Sequence, residues 1–263
     1  MVVTVDAWQP DQYRLFASER EQPFWDLRAL LAPVANPTVV DLGCGDGRLT
    51  RRLATALGAR RVRGIDSSSA MIEAARAGAR PGDRVDFTLG DLATFDEPGA
   101  YDVLIANASL QWVGDHRGVL ARWFRSLAPG GQLVVQVPAN AHHVTHRLAA
   151  RLAADVLDDP PVDVVAAHVL GPEEYARILV DLGAGAPYVA QRVYVHHLAS
   201  SDAVVEWMKG TTLTRLRGPL GEVGWERFVA RYREALREEV GSGPYTLYFS
   251  RILMAARRDA EWR

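Results

Sequence analysis

The run Val39-Val40-Asp41-Leu42-Gly43-Cys44-Gly45-Asp46-Gly47 constrains this chain more than any other feature. Apolar residues lead directly into three glycines at alternate positions, and a helical stretch opens behind them. Gly43 and Gly45 permit a sharp turn and let backbone N–H groups come close to a ligand. Gly47 lets the following helix pack tightly on the strand. Strand, glycine turn and helix in that order predict a ligand at the carboxyl edge of an α/β sheet, beside a helix N-terminus.

The same grammar continues downstream. Strand-length apolar runs at 38–42, 62–66, 85–89, 101–106 and 132–137 alternate with helical stretches at 48–57, 69–77 and 118–127, the last closed by Pro129-Gly130-Gly131. That alternation predicts β-α-β units and a doubly wound, mostly parallel, Rossmann-like sheet. Residues 188–198 and 245–256 read as two later strands, which makes a seven-stranded sheet. Helices are expected over 11–31, over 141–157 up to Asp158-Asp159-Pro160-Pro161, over 172–182, and over 202–240 with a break at 217–221. The expected organisation is an N-terminal helical lid at 1–35 and a core at 36–139. A helical cap at 140–243 follows, holding the strand at 188–198, and then a last strand and tail at 244–263. The caps are expected over the carboxyl edge.

Composition removes several functional classes. Thirty Lys and Arg stand against 32 Asp and Glu, a net charge of −2, so no nucleic-acid partner is expected. The single cysteine, Cys44, excludes an internal disulfide framework. The first ten residues lack the basic-then-apolar pattern of a signal peptide, and no apolar run approaches the ~18 residues of a membrane span. The expectation is a soluble cytoplasmic protein without a membrane partner, either monomer or homodimer.

The neighbours of the turn select the ligand. A dinucleotide fingerprint needs glycine at the sixth position of G-x-G-x-x-G, where Arg48 stands. Asp41 would meet a pyrophosphate with its own negative charge. It suits a ligand carrying an ammonium and a sulfonium, as S-adenosylmethionine does. Asp66 closes the second strand, where a carboxylate can accept from both ribose hydroxyls. Asp91 follows the third strand, placed for the exocyclic amine of adenine. The steps 41, 66 and 91 are one β-α unit each, which puts all three acids on one edge of the sheet. Cys44 reads as a small buried residue beneath the turn rather than a nucleophile.

The turn also resembles that of the class I S-adenosylmethionine-dependent methyltransferases, whose D-x-G-x-G-x-G motif is matched by Asp41, Gly43, Gly45 and Gly47. The resemblance implies cofactor contacts from these four and from Arg20, Asp66, Ser67, Met71, Asp91, Leu92 and Asn107. A narrower resemblance rests on Tyr13-x-x-Phe16-x-x-x-Arg20-x-x-Pro23, Asn107-Ala108-Ser109-Leu110-Gln111-Trp112, Gln136-Val137-Pro138-x-Asn140 and Arg251-x-Leu253. Together these resemble the trans-aconitate methyltransferases over nearly the whole chain. The stretch holding Gln111 and Trp112 is also similar to the malonyl-carrier-protein methyltransferases. Both families esterify a carboxylate, so the resemblance implies methyl ester formation on a small di- or tricarboxylic acid.

That chemistry asks little of the protein. A carboxylate with a pKa near ~4 is already ionised, and no general base is required. Cations or donors for the remaining carboxylates are required; Arg20, His146, His196, Arg215, Arg217 and Arg251 are candidates, with Tyr13, Gln111 and Trp112 lining the acceptor side. Arg215 and Arg217, two residues apart, cannot share a helix face. His142, His143 and His146 have helical spacing that could hold a metal, yet no carboxylate or cysteine completes a set, and no metal is expected. Gln22 stands where the family has a second arginine, and Ser250-Arg251 where it has an arginine pair. Fewer cations point to an acceptor less anionic than aconitate. Two other readings stay open: a hydroxyl or amine acceptor with a base such as His146, and a non-catalytic protein that binds the cofactor.

Overall fold

A computed structural model describes residues 17–80, 82–158 and 168–259, with side chains from Glu21 onward. The expected roles of Tyr13 and Phe16, and the stop at Asp159-Pro160-Pro161, fall outside the described residues.

The strands are β1 (Thr38–Leu42), β2 (Arg61–Asp66), β3 (Val85–Leu89), β4 (Tyr101–Asn107), β5 (Leu127–Pro138), β6 (Ala184–Leu198) and β7 (Tyr245–Arg258). They form one sheet in the order β3-β2-β1-β4-β5-β7-β6. β1 pairs in parallel with β2 and β4, β2 with β3, and β4 with β5, whereas β7 runs antiparallel to β5. This is the doubly wound, mostly parallel seven-stranded sheet that the sequence rhythm implies. Stepping outward from β1 in both directions brings the carboxyl ends of β1 to β5 to one edge.

The helices are α1 (Ala17–Arg28), α2 (Arg48–Leu57), α3 (Ser69–Ala77), α4 (His116–Arg125), α5 (Val144–Ala154), α6 (Pro172–Asp181), α7 (Ser201–Lys209) and α8 (Arg217–Val240). α2 and α3 have the expected limits because their ends are written locally. Gly47 and Gly58 flank α2 in left-handed conformation, and the Ser68 side chain accepts the Met71 N–H at the start of α3. Several boundaries differ from the expected ones, two of them for a local reason. α4 begins two residues earlier than expected, because Asp115 caps it by accepting from Gly118 N at 3.1 Å. Pro129-Gly130-Gly131 does not separate helix from strand but lies inside β5, where the register against β4 shifts between Tyr101 and Val103.

The described chain divides into two compact units. The sheet unit holds residues 20–138, 168–192 and 251–259; the helical unit holds 17–19, 139–158 and 193–250. This division differs from the expected one. α6 and the first part of β6 belong to the sheet unit rather than to a cap over 140–243, and most of α1 does too. In the sheet unit, Phe24 and Leu27 of α1 bury themselves with Val39, Leu53, Val62, Val103, Ile105 and Val134. These α1 residues are part of the sheet unit's core. In the helical unit, α5, α7 and α8 bury Leu148, Leu152, Val204, Trp207, Phe228 and Tyr232 with Phe249. The expected break near 217–221 is a short 3₁₀ turn at Thr212–Leu216 running into α8, whose Gly221 leaves helical geometry at φ +62°.

Candidate cofactor and acceptor site

The glycine turn is braced from three sides. Gly43 N and Cys44 N both donate to Ile65 O, at 2.7 and 3.1 Å, and Gly47 N donates to Cys44 O at 3.1 Å. Gly45 N donates to Asp66 Oδ2 at 2.9 Å, while Ser109 Oγ donates to Leu42 O at 2.6 Å. Four of these amides are used inside the protein, which fixes the turn before anything binds. Gly43 has φ +85°, and a Cβ there would sit 2.2 Å from Ser109 Cβ. Gly47 has φ +71°, with Phe87 Cζ at 2.4 Å from its would-be Cβ. At Gly45, φ +55°, the same construction meets nothing within 4 Å, so the turn is open on that side.

Asp41 is only 3% exposed, and its Oδ2 accepts from Thr50 Oγ1 of α2 at 2.6 Å. Burial pushes its carboxyl up to about 7, against the Thr50 hydrogen bond that lowers it and with a further push from the Asp66 charge. Asp41 therefore lies beneath the turn, pinning β1 to α2, and acts on a ligand through its charge. Asp66 accepts with both oxygens, from Gly45 N and from Ser68 N, each at 2.9 Å. The residue is half-buried at the strand end. Asp91 is exposed and accepts from Ala93 N at 2.9 Å, a local turn that leaves its other oxygen outward. Leu92 and Met71 are buried beside these elements, and Ser67 is exposed. Burial and the neighbouring Asp41 and Asp66 charges push the Cys44 thiol far up, so it stays protonated.

Past β4 the chain bends at Ala108, φ +54°, into a 3₁₀ turn at Leu110–Trp112. Asn107 Oδ1 and Gln111 Oε1 are buried without a hydrogen-bond partner among the described residues, although Gln111 Nε2 donates to Ala108 O at 2.7 Å. Orphaned buried acceptors beside an open turn suit a donor-rich cation such as an ammonium. Trp112 is half-buried in the same turn. Behind it, His116 holds the segment: its Nε2 lies 3.1 Å from Val113 O, and its Nδ1 is 2.8 Å from Tyr175 Oη of α6. Burial lowers the His116 pKa, which favours the neutral ring.

The other expected residues are scattered. Arg20 is in α1, but its side chain is outside the described set. Arg251 is 7% exposed in β7, where its Nη1 donates to Gln136 Oε1 at 3.1 Å. His146, Arg215, Arg217 and His196 belong to the helical unit. His146 packs by its ring against His143 and Phe249 and shares a 3.0 Å contact between Nδ1 and Thr145 Oγ1. Burial drives its pKa down to about 3. Arg217 pairs with Glu222 at 2.9 Å, and burial lowers the Arg215 pKa. His196 lies over Trp207 with ring centroids 5.0 Å apart. Ser109, Thr50 and Gln136 are not among the site residues expected from sequence; Thr50 acts through Asp41 nine residues before it, Ser109 and Gln136 through partners 67 and 115 residues away.

Residues 39–131, the span from the turn to β5, match the methyltransferase domain family. Over 99% of its length the chain is 38% identical to a trans-aconitate 2-methyltransferase of Streptomyces avermitilis, covering 100% of that protein. It is likewise 38% identical to a trans-aconitate 2-methyltransferase of Deinococcus radiodurans, over 95% of this chain and 98% of the relative. The chain belongs to the trans-aconitate 2-methyltransferase family. Within this family fold, solved structures extend the likeness at lower identity. The Haemonchus contortus phosphoethanolamine N-methyltransferase 2, solved in complex with S-adenosyl-L-methionine, aligns at TM-score 0.61 and 17% identity, over 91% of this chain and 52% of that one. The YcgJ protein of Bacillus subtilis aligns at 0.61 and 14%, over 91% and 98%. No described helix is long and apolar enough to cross a membrane.

Proposed function

We propose that this enzyme transfers the methyl group of S-adenosylmethionine to a carboxylate of trans-aconitate or a closely similar small di- or tricarboxylic acid, releasing a methyl ester. The observation that carries the reading is the chain-long 38% identity to proteins of that name, turn and late strands included. Bound in the turn, S-adenosylmethionine supplies an electrophilic methyl on a sulfonium. Asp66 would accept from the ribose hydroxyls, Asp91 from the adenine amine, and Asn107 Oδ1 from the α-ammonium. Asp41 balances positive charge from beneath. Arg20 and Arg251 are the cations proposed for carboxylates of the cofactor and acceptor, with Tyr13, Gln111 and Trp112 on the acceptor side and His146 and Arg217 as further positioning residues.

The chain's task is alignment. The acceptor arrives already ionised, so rate depends on holding two reactants in line and dry, not on moving a proton. A hydroxyl acceptor would need a base, and His146, with a pKa near 3, is a poor one at neutral pH. We therefore favour the ester reading, in a cytoplasmic monomer or homodimer without nucleic-acid or membrane partners. Incubation with methyl-labelled cofactor and a panel of di- and tricarboxylates, read as labelled ester, tests it. Ester from trans-aconitate or a near neighbour, at a rate flat above pH ~5 once both ligands saturate, is expected. No ester from any acid, or a dinucleotide bound in the turn instead, refutes it.

A further inference from the structure

The segment that leaves β4 is held at both ends. Ala108 at φ +54° and Asp115 at φ +49° bracket it, in left-handed conformations that side chains seldom take. Such strain persists only where the surroundings over-determine it. At the near end Ala108 N donates to Gln136 O at 2.9 Å and Ser109 Oγ to Leu42 O at 2.6 Å, so the segment starts on the sheet. At the far end the restraint comes from His116, the first residue of α4, and Tyr175 of α6.

These two side chains are 3% and 0% exposed, and their rings stack with centroids 5.9 Å apart. The hydrogen bonds that join them run in one direction. Val113 O can only accept, so His116 Nε2, 3.1 Å away, carries the ring proton. Burial favours the neutral ring, which leaves Nδ1 as a bare acceptor. Tyr175 Oη, 2.8 Å from Nδ1, then donates to it and accepts in turn from Leu170 N at 3.2 Å. The chain of donors therefore starts at Leu170 N, passes through the tyrosine hydroxyl and the imidazole, and ends on Val113 O. Around it, Arg117 Nη1 meets Asp181 Oδ2 at 2.9 Å, and His168 Cε1 lies 3.6 Å from where a Gly114 Cβ would stand. Apolar side chains would fill this space without the cost of burying polar groups. What the polar pair adds is direction: it fixes Val113 O, next to Trp112 and two residues from Gln111.

We propose that His116 and Tyr175 are positioning residues for methyl transfer, which through Val113 hold Gln111 and Trp112 in the orientation that lets the acceptor meet the methyl. The inference rests on the acceptor-side reading of Gln111 and Trp112 above and deepens it. Both residues are buried, so their effect passes through the backbone of the segment. The glycine turn has its own braces in Ile65 and Asp66, so cofactor affinity should not depend on them.

The test compares kcat for labelled ester from trans-aconitate with S-adenosylhomocysteine affinity by calorimetry, well below the Tm of each variant. His116→Asn carries an amide that reaches only as far as the Nδ1 position and loses Val113 O. Its kcat should fall about 10- to 100-fold, the loss expected for a misplacement of about 1 Å, with S-adenosylhomocysteine affinity kept within about twofold. His116→Gln, whose amide reaches the Nε2 position, should recover most of the kcat. Tyr175→Phe deletes only the hydroxyl, keeps the stacked ring, and should lower kcat about tenfold. An unaltered kcat in folded His116→Asn protein overturns the inference and leaves the reaction standing. A loss that His116→Gln shares in full overturns it too, since it marks the ring as packing alone. Absence of ester from every acid offered to the unaltered protein overturns the reaction and this inference together. Should none of the variants fold, 15N-histidine-labelled unaltered protein decides. A proton on Nε2 of His116, with ring signals that shift when trans-aconitate joins the S-adenosylhomocysteine complex, supports the inference; a proton on Nδ1, or ring signals blind to the acid, overturns it.

Discussion

At the glycine turn, the amides of Gly43, Cys44, Gly45 and Gly47 are all engaged within the protein, that of Gly45 by one oxygen of Asp66, whose other oxygen accepts from Ser68 N. One and two strands away, at the end of β4 and in β5, Asn107 Oδ1, Gln111 Oε1 and Gln136 Nε2 are buried without a partner among the described residues. One edge of one sheet therefore has a glycine turn whose amides are engaged without ligand and, from β4 outward, buried side-chain atoms that are not. The difference teaches where each kind of substitution should register. On the cofactor side, structure and binding fail together, because the same atoms do both. From β4 outward, binding should fail more than the fold, because these particular atoms have no other partner among the described residues.

The largest effect should come from Gly43→Ala. The backbone at φ +85° disfavours any side chain, and the new Cβ would overlap Ser109 Cβ at 2.2 Å. Strain and overlap together should cost about 3 kcal/mol or more, a fall in Tm of roughly 6–12 °C for a chain of this size. Thermal denaturation checks it. Adding Ser109→Gly should recover the steric part alone, since the dihedral strain remains. A Tm unchanged by Gly43→Ala would show that the turn is less braced than its hydrogen bonds imply.

Asp66→Ala comes next. It removes a charged acceptor from two backbone donors and from the ribose hydroxyls, so S-adenosylmethionine affinity should drop by ~2 kcal/mol or more, about 30-fold. Calorimetry giving the same affinity would take Asp66 out of the site and leave it as a brace. A smaller effect belongs to Asp41, whose carboxyl sits near 7 instead of the ordinary 3.8. The folded state holds this proton more tightly than the unfolded one, so its contribution to stability is full below pH ~4 and is lost as pH rises toward 7. A cation in the turn favours the ionised form. Cofactor binding should accordingly release a proton below pH 7, and affinity should rise up to tenfold per pH unit from 5 to 6.5, then level off. Asp41→Asn, which can still accept from Thr50, should flatten that profile.

How much of this could be read in the chain varies with how far apart the cooperating residues lie. The turn, the three strand-end acids and the limits of α2 and α3 are local features, written in glycines, a serine cap and strand-length apolar runs. Asp66 was anticipated as a ligand group, yet its bonds to Gly45 N and Ser68 N depend on β2 folding beside the turn. Ser109 reaches back to Leu42 across 67 residues, and Arg251 to Gln136 across 115. No periodicity encodes such pairs, because they are products of strand order. The same reason explains Pro129-Gly130-Gly131. Locally it reads as a stop, but pairing of Leu127 with Tyr101 draws it into β5 as an irregularity.

The smallest expected effect is at Arg217, and it sharpens the comparison from outside the sheet unit. Its guanidinium makes two 2.9 Å contacts with Glu222 near the start of α8, where Glu222 is exposed and Arg217 half-buried. Solvent screens such a pair, so Arg217→Ala should leave Tm nearly unchanged. Its kinetic consequence separates two roles that the sequence cannot distinguish. If Arg217 positions the acceptor, the KM for the acid rises severalfold at constant cofactor affinity, and Glu222→Ala, by freeing the cation, lowers it. If the pair only fastens the first turn of α8, both substitutions leave KM and kcat where they were, and the carboxylate-binding cations must be sought on the sheet, with Arg251 foremost.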